Sequence, residues 1–211
     1  MPYRRIAGLP SKKTERGRLM RFGQFTVFIL LAVICSTAAA QQPGDRSTGI
    51  SVRVAAVSFV PKKFDLRGNA DRLEREFRLA KKGGAKIAAA PEGALDGYVV
   101  NEIIAGEVPA KKMNEVAVPI DDPIIQRFQK LARELEMCLV FGFAERIDDD
   151  VFNSAVFIGH DGKILGKYHK MLFAEGYDPA WWFNRLGSRS RAFDTPYGRC
   201  GLMICNDRWN P

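Results

Sequence analysis

The chain has 211 residues and a formal net charge of +8, but residues 1–40 hold seven of its 32 basic side chains and one of its 24 acidic ones, so the remainder carries 25 basic against 23 acidic, about +2. That near balance leaves no basic stripe to suggest a nucleic-acid or membrane-surface partner. The 171 residues after position 40 are enough for one domain with a real core.

Residues 1–40 read as a secretory signal peptide: Arg4, Arg5, Lys12, Lys13, Arg16, Arg18 and Arg21 form a basic leader, residues 25–35 are almost wholly apolar, and Ala38, Ala39 and Ala40 supply small residues before Gln41. The apolar stretch is shorter than the ~20 residues of a bilayer-spanning helix, so cleavage and export to a periplasmic or extracellular space are expected over a membrane anchor. Val33 and Ile34 before Cys35 are not the small residues of a lipid-attachment site, and Arg4-Arg5 lies far from the apolar run for a twin-arginine signal. Residues 41–49 form a polar linker, and residues 50–211 a single domain.

Residues 50–60 are a β-branched strand ended by Pro61. A helix follows, with Asn69 as its expected cap, Ala70, Leu73, Phe77 and Ala80 recurring at three and four, and Gly83-Gly84 ending it. The small-residue run 85–90 is a second strand, which makes a βαβ unit. It delivers Pro91-Glu92-Gly93, a carboxylate at a strand's C-terminal end, where open α/β sheets place their sites. A long loop over residues 101–122 leads to a helix over 123–136, with Ile124, Phe128, Leu131, Ala132 and Leu135 on one face, and then to a strand over 138–144. Runs 152–159 and 164–168, joined by His160-Asp161-Gly162-Lys163, read as a hairpin whose second arm carries Lys170 out of the sheet. Residues 174–191 form an aromatic-rich loop (Tyr177, Trp181, Trp182, Phe183), read as a packed lid or subunit contact. Strand 192–194, a turn at 195–198 and an apolar strand over 201–204 bring the chain to Cys205.

Three cysteines follow the leader: Cys138, Cys200 and Cys205. An odd count leaves a free thiol or an intermolecular bridge. If the segment is extended, Cys200 and Cys205 are about 16 Å apart, too far for a disulfide. Two histidines without cysteine or carboxylate at ligand spacing give no metal site.

Glu92, Lys170 and Cys205 each stand at the C-terminal end of an apolar run. The residue types suit covalent acyl chemistry: a thiol of ordinary acidity is only a few per cent thiolate at neutral pH and needs a base, for which Glu92 is available. Lys170 as an ammonium would favour the thiolate and, with the Asn206 N–H, bind an oxyanion. Arg208 could pair with a substrate carboxylate or form a structural salt bridge.

At these three motifs the chain resembles the nitrilase or carbon–nitrogen hydrolase superfamily. Ala90-Pro91-Glu92 with Gly97-Tyr98 matches that family's Glu motif, residues 166–170 its Lys motif and residues 201–207 its Cys motif. The Cys205-Asn206-Asp207-Arg208 string is most similar to N-carbamoyl-amino-acid amidohydrolases and related amidases. The resemblance implies an α/β fold, the α-β-β-α sandwich, lacking its C-terminal part. It implies a cofactor-free hydrolase of small amide, N-carbamoyl or nitrile substrates, with Glu92, Lys170 and Cys205 as triad and homo-oligomers in the full-length family. It also implies a second glutamate, for which Glu175 is the nearest choice. Two positions depart from the pattern: Leu172 stands where a histidine is usual, and Trp209 where the carbamoylase-like branch has an arginine. Since the family's domain continues past its cysteine, a truncated form with weak or no activity is one expectation, and a non-catalytic binding module on the same scaffold is the alternative.

Overall fold

The computed structural model describes residues 51–209; the leader and linker assigned to residues 1–49 lie outside the described residues. β1 (Val54–Ala56), α1 (Leu66–Lys82) and β2 (Ile87–Ala89) form the βαβ unit, with β1 and β2 parallel. α1 starts one turn before the expected position. Asp65 is its cap, accepting the Gly68 N–H at 3.0 Å, and Asn69 is buried inside the helix. The Asn69 amide instead bonds Lys62 N and O and Leu95 O, tying α1 to the loop after β2.

Residues 101–122 are not a plain loop. α2 (Val100–Ile104) and a 3-10 turn (Ala110–Glu115) fold there, because Val100, Ile103, Met113 and Val116 bury themselves with Val99, Ala144, Val151 and Phe183 in a second apolar cluster. α3 (Pro123–Leu135) is capped by Asp122, which accepts the Ile124 N–H at 2.8 Å, and opens with a proline pre-set for the first turn. Its fully buried face uses Ile125, with Ile124 only partly covered at the edge.

β3 (Cys138–Ile147), β4 (Asp150–Ile158) and β5 (Ile164–His169) follow, and β1-β2-β3-β4-β5 is the order of the sheet. β2 and β3 are parallel, joined through α3; β3-β4 and β4-β5 are antiparallel hairpins, the second turning at the Asp-Gly pair. The alternation of β3 sorts its two faces. Leu139, Phe141 and Phe143 join the core under α1 and α3, where Phe128 lies 4.7 Å from Phe141 and meets Phe77 edge-on at 6.0 Å. Val140 and Gly142 point to the opposite face, which carries the site.

β6 (Phe193–Thr195) and β7 (Gly198–Cys200) form a separate two-stranded ribbon. The expected strand over 201–204 is not formed: these residues pair with no strand among the described residues. The period-2 signal is nevertheless real in packing terms. Leu202 and Ile204 turn inward onto Ala155, Tyr168 and Met171, while Met203 is exposed, so side-chain packing rather than ladder hydrogen bonds holds the segment on the sheet.

Candidate active site

The turn carrying Glu92 is fixed against β3. Ala90 N–H donates to Val140 O at 2.8 Å and Gly142 N–H to Pro91 O at 3.2 Å. Gly142 is required at this contact: a Cβ there would lie 2.7 Å from Gly93 N and 2.8 Å from Glu92 Cα, closer than backbone atoms permit. Asp96 completes the turn, accepting Tyr98 N–H and Ala144 N–H; burial pushes its carboxyl up in spite of those bonds.

Lys170 extends the β4-β5 ladder by one bond, its N–H donating to Asn153 O at 2.9 Å, while its carbonyl accepts Gly187 N–H from the aromatic loop at 2.8 Å. Its side chain has no exposed surface, and Nζ donates to Glu92 Oε1 at 2.7 Å. Nζ also stands 5.8 Å from the Tyr98 ring centroid and 6.0 Å from that of Phe173. Glu92 Oε1 accepts a second bond, from Asn153 Nδ2 at 2.7 Å, so Oε2 is left without a partner among the described residues.

Cys205 opens a 3-10 turn (Cys205–Trp209) and is exposed, with a left-handed φ of 48°. Such a conformation costs a non-glycine residue on the order of 1–3 kcal/mol and recurs where a side chain must be presented at a sharp bend. Cys205 and Glu92 line one cleft of about 470 Å³, whose floor includes Val140, Gly142 and Ala155. Tyr98 reports the same convergence: burial first, then the charges of Glu92, Glu175 and Cys205, push its hydroxyl well above the ordinary phenol range.

The other residues expected at the site divide. Glu175 is brought in, with Oε1 buried and without a hydrogen-bond partner among the described residues. Asn206 donates its side-chain amide to Phe173 O at 3.4 Å, and its N–H donates to no backbone carbonyl among the described residues. Arg208 is exposed and stacks on Trp209 at 5.0 Å, with no carboxylate partner among the described residues. The aromatic loop packs on its own chain: Phe183 is buried, Trp181 and Trp182 are partly buried, and Val151 exchanges bonds with Trp182 and Arg185. Cys138, Cys200 and Cys205 are all free thiols.

Three contributors escaped the reading of the sequence. Asn153 holds Glu92 with its side chain and Lys170 with its carbonyl; an asparagine inside a hairpin arm gives no sign of that until the strands are paired. Gly142 is a glycine inside a strand, a recognised mark of close backbone approach. Asp207 is buried, and Met171, Leu172 and Ile204 all donate N–H groups to it.

Residues 53–211 match the family model described as carbon-nitrogen hydrolase. The chain belongs to the carbon–nitrogen hydrolase family. Among curated members, an N-carbamoylputrescine amidase of Oryza sativa subsp. japonica is 34% identical over 175 residues, covering 80% of this chain and 54% of its own length. A citrullinase of Francisella tularensis is 31% identical over 169 residues, covering 77% and 54%, and a cyanide hydratase of Armillaria gallica is 29% identical over 171 residues, covering 75% and 46%. This carbon–nitrogen hydrolase chain therefore spans about half the length of the curated relatives it matches. The solved amidase of Nesterenkonia sp. superposes with a TM-score of 0.58 at 20% identity, covering 77% of this chain and 60% of that one. The mixed α/β fold is thus that of the family's amidases over the shared part.

Proposed function

We propose that this chain carries the catalytic triad of a hydrolase acting on non-peptide carbon–nitrogen bonds of small amides, N-carbamoyl compounds or nitriles. The observation that carries the reading is the Glu92–Lys170 contact at 2.7 Å opening onto the cleft that Cys205 shares. For an amide, Glu92 takes the Cys205 proton and the thiolate adds to the carbonyl carbon. The Lys170 ammonium and the Asn206 N–H stabilise the oxyanion. The C–N bond breaks as the amine leaves with the proton from Glu92, and a thioester remains. Water, deprotonated by Glu92, then attacks the thioester; the acid departs and the proton returns to the thiol. Glu175, whose buried Oε1 has no partner among the described residues, would orient the substrate amide or the water.

The relatives' names span amidase, citrullinase and cyanide hydratase, which supports the bond class and leaves the substrate to experiment. Export through the N-terminal leader and assembly into homo-oligomers belong to the same proposal. Turnover of a panel of amides, carbamoyl-amino acids and nitriles tests it, with Cys205→Ala expected to abolish hydrolysis and leave the far-ultraviolet circular dichroism spectrum unchanged. Retained hydrolysis in Cys205→Ala contradicts it. The rival, a binding module without catalysis, predicts no turnover of any panel member and no loss of substrate binding in Cys205→Ala.

A further inference from the structure

Lys170 and Cys205 belong to separate turns, and no strand ladder among the described residues joins those turns. Beside a long Asn206–Phe173 contact at 3.4 Å and the packing of Leu202 and Ile204 near Met171, what ties them is one carboxylate. Asp207 Oδ1 accepts Met171 N–H at 3.0 Å and Leu172 N–H at 2.7 Å, and Oδ2 accepts Ile204 N–H at 3.1 Å. The carboxylate is 5% exposed and paired with no basic side chain among the described residues. Met171 directly follows Lys170 and Ile204 directly precedes Cys205, so each end of the carboxylate holds a residue covalently bonded to one of the two site residues. The Asp207 N–H also closes its own turn on Ile204 O at 3.1 Å.

We propose that Asp207 is a positioning residue, a clamp that sets the separation of the Lys170 ammonium and the Cys205 thiol; the proposal rests on reading Cys205 as the nucleophile. The residue type is selected by hydrogen-bond sense. All three partners, Met171, Leu172 and Ile204, donate N–H groups, and only a carboxylate offers acceptors on both sides with no donor of its own. An asparagine has nearly the same shape, yet its amide NH2 would face either Ile204 N–H or the Met171 and Leu172 N–H groups, donor against donor. Asp207→Asn therefore releases one turn from the other without creating a cavity. Once released, the ammonium lies further from the thiolate it favours, and the thiol loses reactivity at neutral pH.

The test is the rate of Cys205 alkylation by iodoacetamide against pH in the full chain and in Asp207→Asn, with thermal melting of both. We expect the midpoint of the profile to rise by a unit or more in Asp207→Asn, and alkylation at pH 7 to slow at least ~10-fold, the change in thiolate fraction for one unit. A purely structural staple would lower the melting temperature and leave the profile where it was; that result overturns the proposal. Should Asp207→Asn fail to fold, Asp207→Glu, which keeps both acceptors one methylene further out, is read the same way: a raised midpoint supports the clamp and an unchanged one overturns it. Glu92→Gln separates the two levels of the account. If Cys205 in the parent chain alkylates no faster than in Glu92→Gln, the nucleophile reading fails, whereas a fast parent with an equally fast Asp207 variant overturns the clamp alone.

Discussion

Lys170 buries its whole side chain and sets Nζ 2.7 Å from Glu92 Oε1, joining a cation and a carboxylate that stand 78 positions apart in the chain. Removing one partner of such a pair leaves the other desolvated and uncompensated. Lys170→Met is expected to destabilise the fold by about 3 kcal/mol, and Glu92→Gln combined with Lys170→Met to recover most of that loss. Urea unfolding of the two single variants and the double one measures the coupling; additive single effects would contradict a tight pair.

Gly142 is where the sheet admits the Glu92 turn. Gly142→Ala inserts a Cβ against Gly93 N and Glu92 Cα and displaces that turn, which at roughly 1 Å of misplacement costs about 10²-fold in rate. The stability loss expected from such overpacking is smaller in proportion, ~1–3 kcal/mol. Parallel measurement of amide turnover and of the unfolding midpoint should show activity falling far faster than stability.

Glu145 gathers a buried polar network on the neighbouring strands. It accepts from Ser154 Oγ at 2.8 Å, Lys167 Nζ at 2.5 Å and His169 Nε2 at 2.8 Å, and the His169 ring stacks on Phe152 at 4.4 Å. Burial raises its carboxyl, but the bonds from His169, Lys167 and Ser154 together outweigh burial and hold it below the ordinary 4.5. A depressed carboxyl contributes stability that is present above its unfolded titration, about pH 4.3, and is lost as pH falls through the folded one. Denaturant midpoints between pH 6 and pH 3 should fall in the parent chain and fall less steeply in Glu145→Gln.

The core should yield to truncation in the usual way. Phe128 has no exposed surface and touches both Phe77 and Phe141, so Phe128→Ala is expected to cost ~3–5 kcal/mol in unfolding free energy. A loss below about 1 kcal/mol would mean that the sheet face under α1 and α3 is not the packed core described.

Local signals made much of this fold readable. The three-and-four spacing of Ala70, Leu73 and Phe77, the Asp161-Gly162 turn and the Pro123 start of α3 are decided within a few residues, and each element formed where its pattern lies. Glu92, Lys170 and Cys205 stand out in the sequence because each is a reactive residue after an apolar run, and because three motifs occur in order. Readings that failed did so where distant partners decide. Asn69 has the local pattern of a cap, since nothing nearby in sequence shows that Leu95, 26 residues on, accepts its amide. Residues 201–204 have a strand's alternation, and alternation records which side is buried, not whether a neighbouring strand lies beside it. The partners of Asn153 and Asp207 lie across the fold, so their roles became visible only with β4, β5 and the cysteine turn side by side.

In the proposed reaction Cys205 forms the covalent intermediate, with Glu92 and Lys170 beside it. The most direct measurement is intact-mass analysis of the chain after acid quench of a reaction with a turned-over amide, followed by peptide mapping. The account predicts an acyl adduct of the substrate's mass on the peptide containing Cys205, increased in amount in Glu92→Gln if deacylation slows more than acylation, and absent in Cys205→Ala. Amide turnover that persists in Cys205→Ala, or an adduct that maps to Cys138 or Cys200 instead, would contradict it.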